Sequence, residues 1–203
     1  VKRVAAILLA AGLSRRMGAF KPLLPFGHQT VIESSVANLR AGGATDIIVV
    51  VGHRGDEIRD QLQTAEVTFA FNSDADTPMG VSIALGVAQV SEQCGAVLIT
   101  PADHSAIQGH TIKLIVNEWE RGAALVQPEY EGRGGHPVLA DRKYFDELLH
   151  LDSERGLRGF FEQHRPETRR LPVSSPFIAR DIDTWEDYAA LHQEVFGEAP
   201  PRL

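Results

Sequence analysis

The chain has 203 residues, 43% of them apolar and 23% charged, which suits a single globular domain with one sizeable core. Its formal net charge of −7 argues against a broad nucleic-acid-binding face but leaves room for a local positive patch that holds one nucleotide. Cys94 is the only cysteine, so an internal disulfide and a multi-cysteine metal site are excluded, as suits a reducing cytoplasm.

The run "VAAILLA" (residues 4–10) predicts a buried strand, and a glycine-containing loop follows it. A signal peptide would also begin with a basic, apolar stretch, but the arginine pair directly after "AAG" favours a first strand and a cytoplasmic protein. No apolar run approaches the roughly 20 residues of a membrane span. "TVIESSVANLRAGG" (30–43) predicts a helix, with Val31, Val36 and Leu39 on one face and glycines ending it. "DIIVVVG" reads as a strand covered on both faces. Helix "GDEIRDQLQ", strand "VTFAF", helix "VSIALGVAQV" and strand "AVLIT" continue the alternation. That order implies a mainly parallel sheet with helices on both sides, and ligands beyond the carboxyl ends of the strands.

The second half is less regular. "IKLIVNEWER", "YFDELLHL" and "GLRGFFEQH" read as helices, and "AALVQPEY" and "HPVLA" as short strands. "DIDTWEDYAALHQEVF" reads as a helix capped by Thr184, with Asp187 three residues on nearly completing a capping box. From about residue 197 a loose tail is expected.

Four stretches could carry chemistry. In "LAAGLSRRMGAFK", Gly12 and Gly18 let backbone amides approach an anion, and Arg15, Arg16 and Lys21 could balance a triphosphate. A plain turn with solvated arginines is the alternative there, because the spacing is neither the dinucleotide nor the Walker pattern. "TPADHS" puts Asp103 at the carboxyl end of a strand, where it is either a cap or a metal ligand. "DIDTWEDY" sets Asp181 and Asp183 two apart, on one side if extended. His136 in "GRGGHPVL" is either a ligand or a structural histidine.

Together, "LAAGLSRRMGAFKPLLPFG", "TPADHS", "GGHPVL" and "DIDTWEDY" resemble, in this order, the nucleotidyltransferases of molybdenum-cofactor maturation, and most closely their molybdopterin cytidylyltransferase type. The resemblance runs from Val4 to about Leu191 and implies a Rossmann-like three-layer α/β/α nucleotidyltransferase fold with a mostly parallel sheet. By position it implies that Leu9, Ala10, Ala11 and Gly12 line the nucleotide, with Arg16 and Lys21 on the triphosphate and Asn72 and Ser82 reading the base. Arg16, Lys21 and Asp103 would be the catalytic residues, and Asp103 and Asp183 would bind Mg²⁺. His136, Gly156 and Arg158 would face the acceptor. Ala10-Ala11 matches the cytidylyl form of the loop. Pro78 stands where the family usually has glycine, and Ser153-Glu154 where it usually has Gly-Asp.

The implied activity is transfer of CMP from CTP to molybdopterin with release of pyrophosphate, the product passing to a recipient molybdoenzyme. Such chemistry needs positioned cations more than a protein nucleophile. If Asp103 and Asp183 share one Mg²⁺, they must lie within about 10 Å of each other, and neither is expected to hold a fixed ion pair without nucleotide. Alternatives remain: guanylyl transfer, a sugar- or polyol-phosphate acceptor, a non-catalytic molybdopterin-delivery protein, or a redox protein, whose glycine spacing fits worst.

Overall fold

The structure is a computed structural model that describes residues 3–13, 17–74 and 76–201. In chain order its regular elements begin with β1 (Arg3–Ala10), β2 (Pro25–Phe26), β3 (Gln29–Thr30), α1 (Val31–Ala41), β4 (Asp46–Val51) and α2 (Gly55–Gln61). They continue with β5 (Thr68–Phe71), α3 (Met79–Val87), β6 (Cys94–Pro101), α4 (Gly109–Glu120), β7 (Leu125–Tyr130), β8 (Arg133–Gly134) and β9 (Val138–Asp141). Last come α5 (Phe145–Leu149), α6 (Gly156–Gln163), β10 (Thr168–Pro172) and α7 (Trp185–Phe196).

The main sheet has the order β10-β7-β9-β6-β1-β4-β5, with β8 paired to β7. β9 runs antiparallel between β6 and β7, and the other strands of that order share one direction. The expected mostly parallel sheet is therefore present, with one reversed strand inside it.

β1 explains the three layers. Its side chains alternate between faces. Val4, Ala6, Leu8 and Ala10 pack into one core with Ile32, Leu39 and Ile58 of α1 and α2 and with Ile112 and Ile115 of α4. Ala5, Ile7 and Leu9 join a second core with Ile83 of α3, Leu148 of α5 and Phe160 of α6. A strand buried on both faces must be apolar throughout, which is why it was legible as a single run.

A third, smaller core holds Leu24, Phe26, Ile182, Tyr188 and Leu191 and fastens α7 beneath the β2–β3 hairpin. Trp185 Nε1 donates to the Met17 carbonyl, the Tyr188 hydroxyl donates to the Pro25 carbonyl, and the Gly27 amide donates to His192 Nε2. The capping box read from the sequence is formed: Thr184 Oγ1 accepts from the Asp187 amide, and the Asp187 carboxylate accepts from the Thr184 amide. A second box joins Thr30 to Glu33 at the start of α1.

Beyond the two-residue strands β2, β3 and β8, which were not read from the sequence, two elements differ from expectation. "TRRLP", unassigned from sequence, forms the edge strand β10, parallel to β7. Helix α3 starts at Met79, two residues before the apolar run that revealed it, because Pro78 sits in the N-cap position with φ −56° and fits a helix start.

His164 anchors the end of α6. Its Nε2 lies 2.9 Å from the Glu147 carboxylate of α5 and its Nδ1 3.4 Å from Glu167. Burial alone would lower its pKa, but the hydrogen bonds and charges of Glu147 and Glu167 raise it overall. A histidine with a raised folded pKa stabilises fully below its unfolded pKa of about 6.5, and the contribution fades as pH rises through the folded value. Urea unfolding should therefore show a larger deficit for His164→Gln at pH 6 than at pH 8.5.

Candidate active site

The carboxyl ends of β1, β5 and β6 open into a cavity of about 290 Å³. Leu9, Ala10, Ala11, Gly12, Lys21, Asn72, Ser82 and Asp103 all line it, as expected from the sequence. Arg16, expected on the triphosphate, lies outside the described residues. Pro22, Val31, Thr77 and Met79 complete the wall and were not singled out from sequence.

The floor depends on a close approach of two loops. A Cβ on Gly52 would sit 3.1 Å from both the Ala11 and the Asn72 carbonyl oxygens, so any side chain there would push the backbone after β1 or β5 aside by a few tenths of an ångström. The Asn72 amide is already engaged: Nδ2 donates to Thr77 Oγ1 at 2.9 Å and Ser82 Oγ at 3.0 Å, and Oδ1 accepts from the Asp74 amide. Asn72 therefore orients the Ser82 hydroxyl, whose own proton remains to be donated to a ligand.

At the other end Lys21 stands between two carboxylates. Its Nζ lies 3.0 Å from Asp183 Oδ1 and 3.7 Å from Asp103 Oδ2. These two contacts keep the carboxylate oxygens no more than about 7 Å apart, inside the distance that a shared cation requires. The expectation that neither aspartate is paired without nucleotide is overturned. Two carboxylates brought together repel, and the lysine from the neighbouring turn neutralises them. Burial pushes the Asp103 pKa up; Lys21 opposes that shift, while Asp181 and Asp183 add to it.

Next to Asp103, the ring of His104 meets that of His136 at 4.9 Å and 61°. Burial lowers both pKa values, His136 to about 4 with the neighbouring His104 adding to the effect, so both rings are neutral at pH 7. The Nδ1 atoms of the two rings and Ser105 Oγ are buried without a hydrogen-bond partner among the described residues. His136 is positioned by Gly135, where a Cβ would fall 2.3 Å from the Ile178 carbonyl, and by its amide, which donates to that carbonyl.

His136, Gly156 and Arg158 line a second groove, of about 840 Å³, and Met79 borders both spaces. The three residues expected on the acceptor side thus lie together, apart from the first cavity. Arg133, Arg155, Arg165 and Arg170 also line this groove, and only Arg158 among its five arginines was singled out from sequence. No described helix is long and apolar enough to cross a membrane.

A three-layer α/β sheet with a glycine-floored, lysine-capped cavity at its carboxyl edge defines a protein of the nucleotidyltransferase fold. The chain belongs to the MobA-like NTP transferase domain family, whose model matches residues 6–168. It is 26% identical over 185 residues to the molybdenum cofactor cytidylyltransferase of Escherichia coli (strain K12), covering 90% of this chain and 92% of that protein. It is 24% identical over 193 residues to the nicotine blue oxidoreductase of Paenarthrobacter nicotinovorans, covering 90% and 93%. A crystal structure of the Mycobacterium tuberculosis Rv0371c homologue from Mycobacterium sp. strain JC1 superposes with a TM-score of 0.84 at 27% identity, covering 96% and 98%.

Lys21→Met should destabilise the chain by roughly 2 kcal/mol at pH 7.5, less than the ~3–5 kcal/mol of a fully buried pair, because Asp183 is about a third exposed. Losing the ammonium raises the Asp103 pKa further. The penalty of an ionised Asp103 then disappears as pH falls through that raised value. Melting curves should show the variant's deficit shrinking from pH 7.5 to pH 5.

Proposed function

We propose that this nucleotidyltransferase moves CMP from CTP to a molybdopterin-type acceptor and releases pyrophosphate. The observation that carries the transfer chemistry is Lys21 held between Asp103 and Asp183 at the mouth of the first cavity. Support for the cytidylyl form comes from Ala10-Ala11 and from the similarity to the E. coli protein of that name.

An oxygen of the acceptor phosphate attacks the α-phosphorus of the triphosphate. As the new P–O bond forms, the bond from that phosphorus to the oxygen bridging the β-phosphorus breaks, and pyrophosphate leaves with the electron pair. Backbone amides of residues 10–12 and the Ser82 hydroxyl hold the nucleotide, and Lys21 exchanges its carboxylate contacts for phosphate oxygens. The donor set suits Mg²⁺, which takes one or two carboxylates and fills its remaining positions with phosphates and water. Asp103 and Asp183 would hold that ion, whose charge neutralises the triphosphate and the departing pyrophosphate. His136, neutral at pH 7, offers the acceptor a hydrogen bond and no charge.

Pyrophosphate release with each nucleoside triphosphate, with and without molybdopterin, tests this reading. CTP with molybdopterin should turn over at least about tenfold faster than GTP, and EDTA should stop the reaction. A preference for GTP would overturn the base assignment. A relative named as an oxidoreductase matches the chain over a similar span, so the assay is repeated with a reduced nicotinamide cofactor. Oxidation of that cofactor without pyrophosphate release would overturn the transfer reading.

Lys21→Ala and Asp103→Asn should each lower kcat by about 10² to 10³. In the wild type, activity should fall on the acid side at a pH above the ordinary aspartate value, because burial raises the Asp103 pKa and the protonated form holds no cation.

A further inference from the structure

The approach to α7 grips the Lys21 segment at two points. Asp183 Oδ1 lies 3.0 Å from Lys21 Nζ, and two residues further on Trp185 Nε1 donates to the Met17 carbonyl at 3.0 Å. Residues 17–21 are thus held at both ends from one short stretch of chain. The two ends differ in what else supports them. Downstream of Lys21 the backbone is fixed by its own hydrogen bonds. The Leu24 amide donates to the Lys21 carbonyl, the Val31 amide donates to the Leu24 carbonyl, and β2 pairs with β3. Upstream, the backbone of Met17, Gly18 and Ala19 makes no backbone–backbone hydrogen bond among the described residues, and Gly18 turns the chain at φ +64°. Order in that turn therefore comes from side chains. Met17 is buried in the third core and Phe20 in the first, and the Trp185 N–H holds the Met17 carbonyl.

Trp185 is 43% exposed, although an indole stabilises a fold chiefly through the area it buries. Its N–H goes to backbone four residues before Lys21, where no other backbone bond is made. Tyr188, on the same face of α7, gives its hydroxyl proton to the Pro25 carbonyl, inside the hairpin that is already bonded. The two contacts are alike in chemistry and differ in redundancy.

We propose that Trp185 is a positioning residue for Lys21, fixing the start of the segment from which the ammonium reaches a bound triphosphate. The proposal rests on the reading above, in which Lys21 exchanges its carboxylate contacts for phosphate oxygens. Without ligand, Asp183 and Trp185 both hold the segment, and either grip alone suffices. With ligand the Asp183 grip is released, and that of Trp185 persists. Removing the Trp185 bond therefore falls on the ligand-bound state: the ligand must then order the turn as well, which weakens binding.

The test is calorimetric binding of inorganic tripolyphosphate in EDTA, paired with hydrogen exchange of the ligand-free protein. Trp185→Phe keeps an aromatic ring and removes the N–H. It should weaken binding about three- to tenfold, the range that one neutral hydrogen bond supplies. In an Asp183→Asn background one grip is already missing from the free protein, so the same change should weaken binding less than about twofold. Exchange should show the complementary pattern. Trp185→Phe should speed exchange of the amides of residues 18–21 in the Asp183→Asn background and alter it little in the otherwise native chain. Tyr188→Phe should lower the melting temperature yet keep tripolyphosphate affinity within about twofold. Equal weakening by Trp185→Phe in both backgrounds, or none in the native one, overturns the proposal and leaves Trp185 a structural contact. Wild-type protein that shows the exchange pattern yet binds neither tripolyphosphate nor CTP with Mg²⁺ would sink the transfer reading and leave only the two-point hold on residues 17–21.

Discussion

Three distant segments of the chain meet at the Lys21 ammonium. Asp103 follows β6, Lys21 opens the short turn before β2, and Asp183, 162 residues beyond Lys21, lies in the approach to α7. Without a cation the two carboxylates would repel, and Asp103 is already disfavoured as an anion by burial. The lysine makes this arrangement of two close carboxylates tolerable. Much of the C-terminal architecture serves that convergence. The capping box fixes the start of α7, and Trp185, Tyr188 and His192 tie the helix to the backbone of residues 17–27, so Asp183 is held against the loop that carries Lys21.

The same sheet separates the two cavities. The Lys21 cavity sits at the ends of β1, β5 and β6, where parallel strands stop and their loops diverge. The second groove spreads over the face covered by α3 and α6 and reaches the edge strand β10. The reversed strand β9 makes this possible, because it carries the chain from the His136 loop back across the sheet and sets β7 and β10 beyond it. His136 stands at that boundary as a neutral ring in edge-on contact with His104, the residue after Asp103. The arginines lie beyond it, so positive charge is concentrated on the second groove of an acidic protein.

Local features were legible from the residues because local physics decides them. β1 is a run of seven apolar residues because both faces of a central parallel strand are buried. The Thr184–Asp187 box spans three residues and needs no tertiary partner to be recognised. The glycine loop and Asp103 could be assigned to one edge because alternating strands and helices put every βα loop there. β10 escaped notice because "TRRLP" has charged residues and an exposed face, and only its pairing with β7 makes it a strand. The Asn72–Ser82 bond was equally silent, since it joins a loop to a helix ten residues on.

By itself the sequence determined the class of fold, the order of its elements and the residue types at the nucleotide edge, since periodicity, capping and glycine placement act over a few residues. The tertiary structure alone decided that Lys21 pairs with both aspartates, that Asn72 is spent on orienting Ser82, and that arginines from four segments face one groove. Those outcomes depend on the distance and burial of side chains far apart in the chain. Electrostatic energy follows that spatial separation and the local dielectric, and neither is written in the order of the residues.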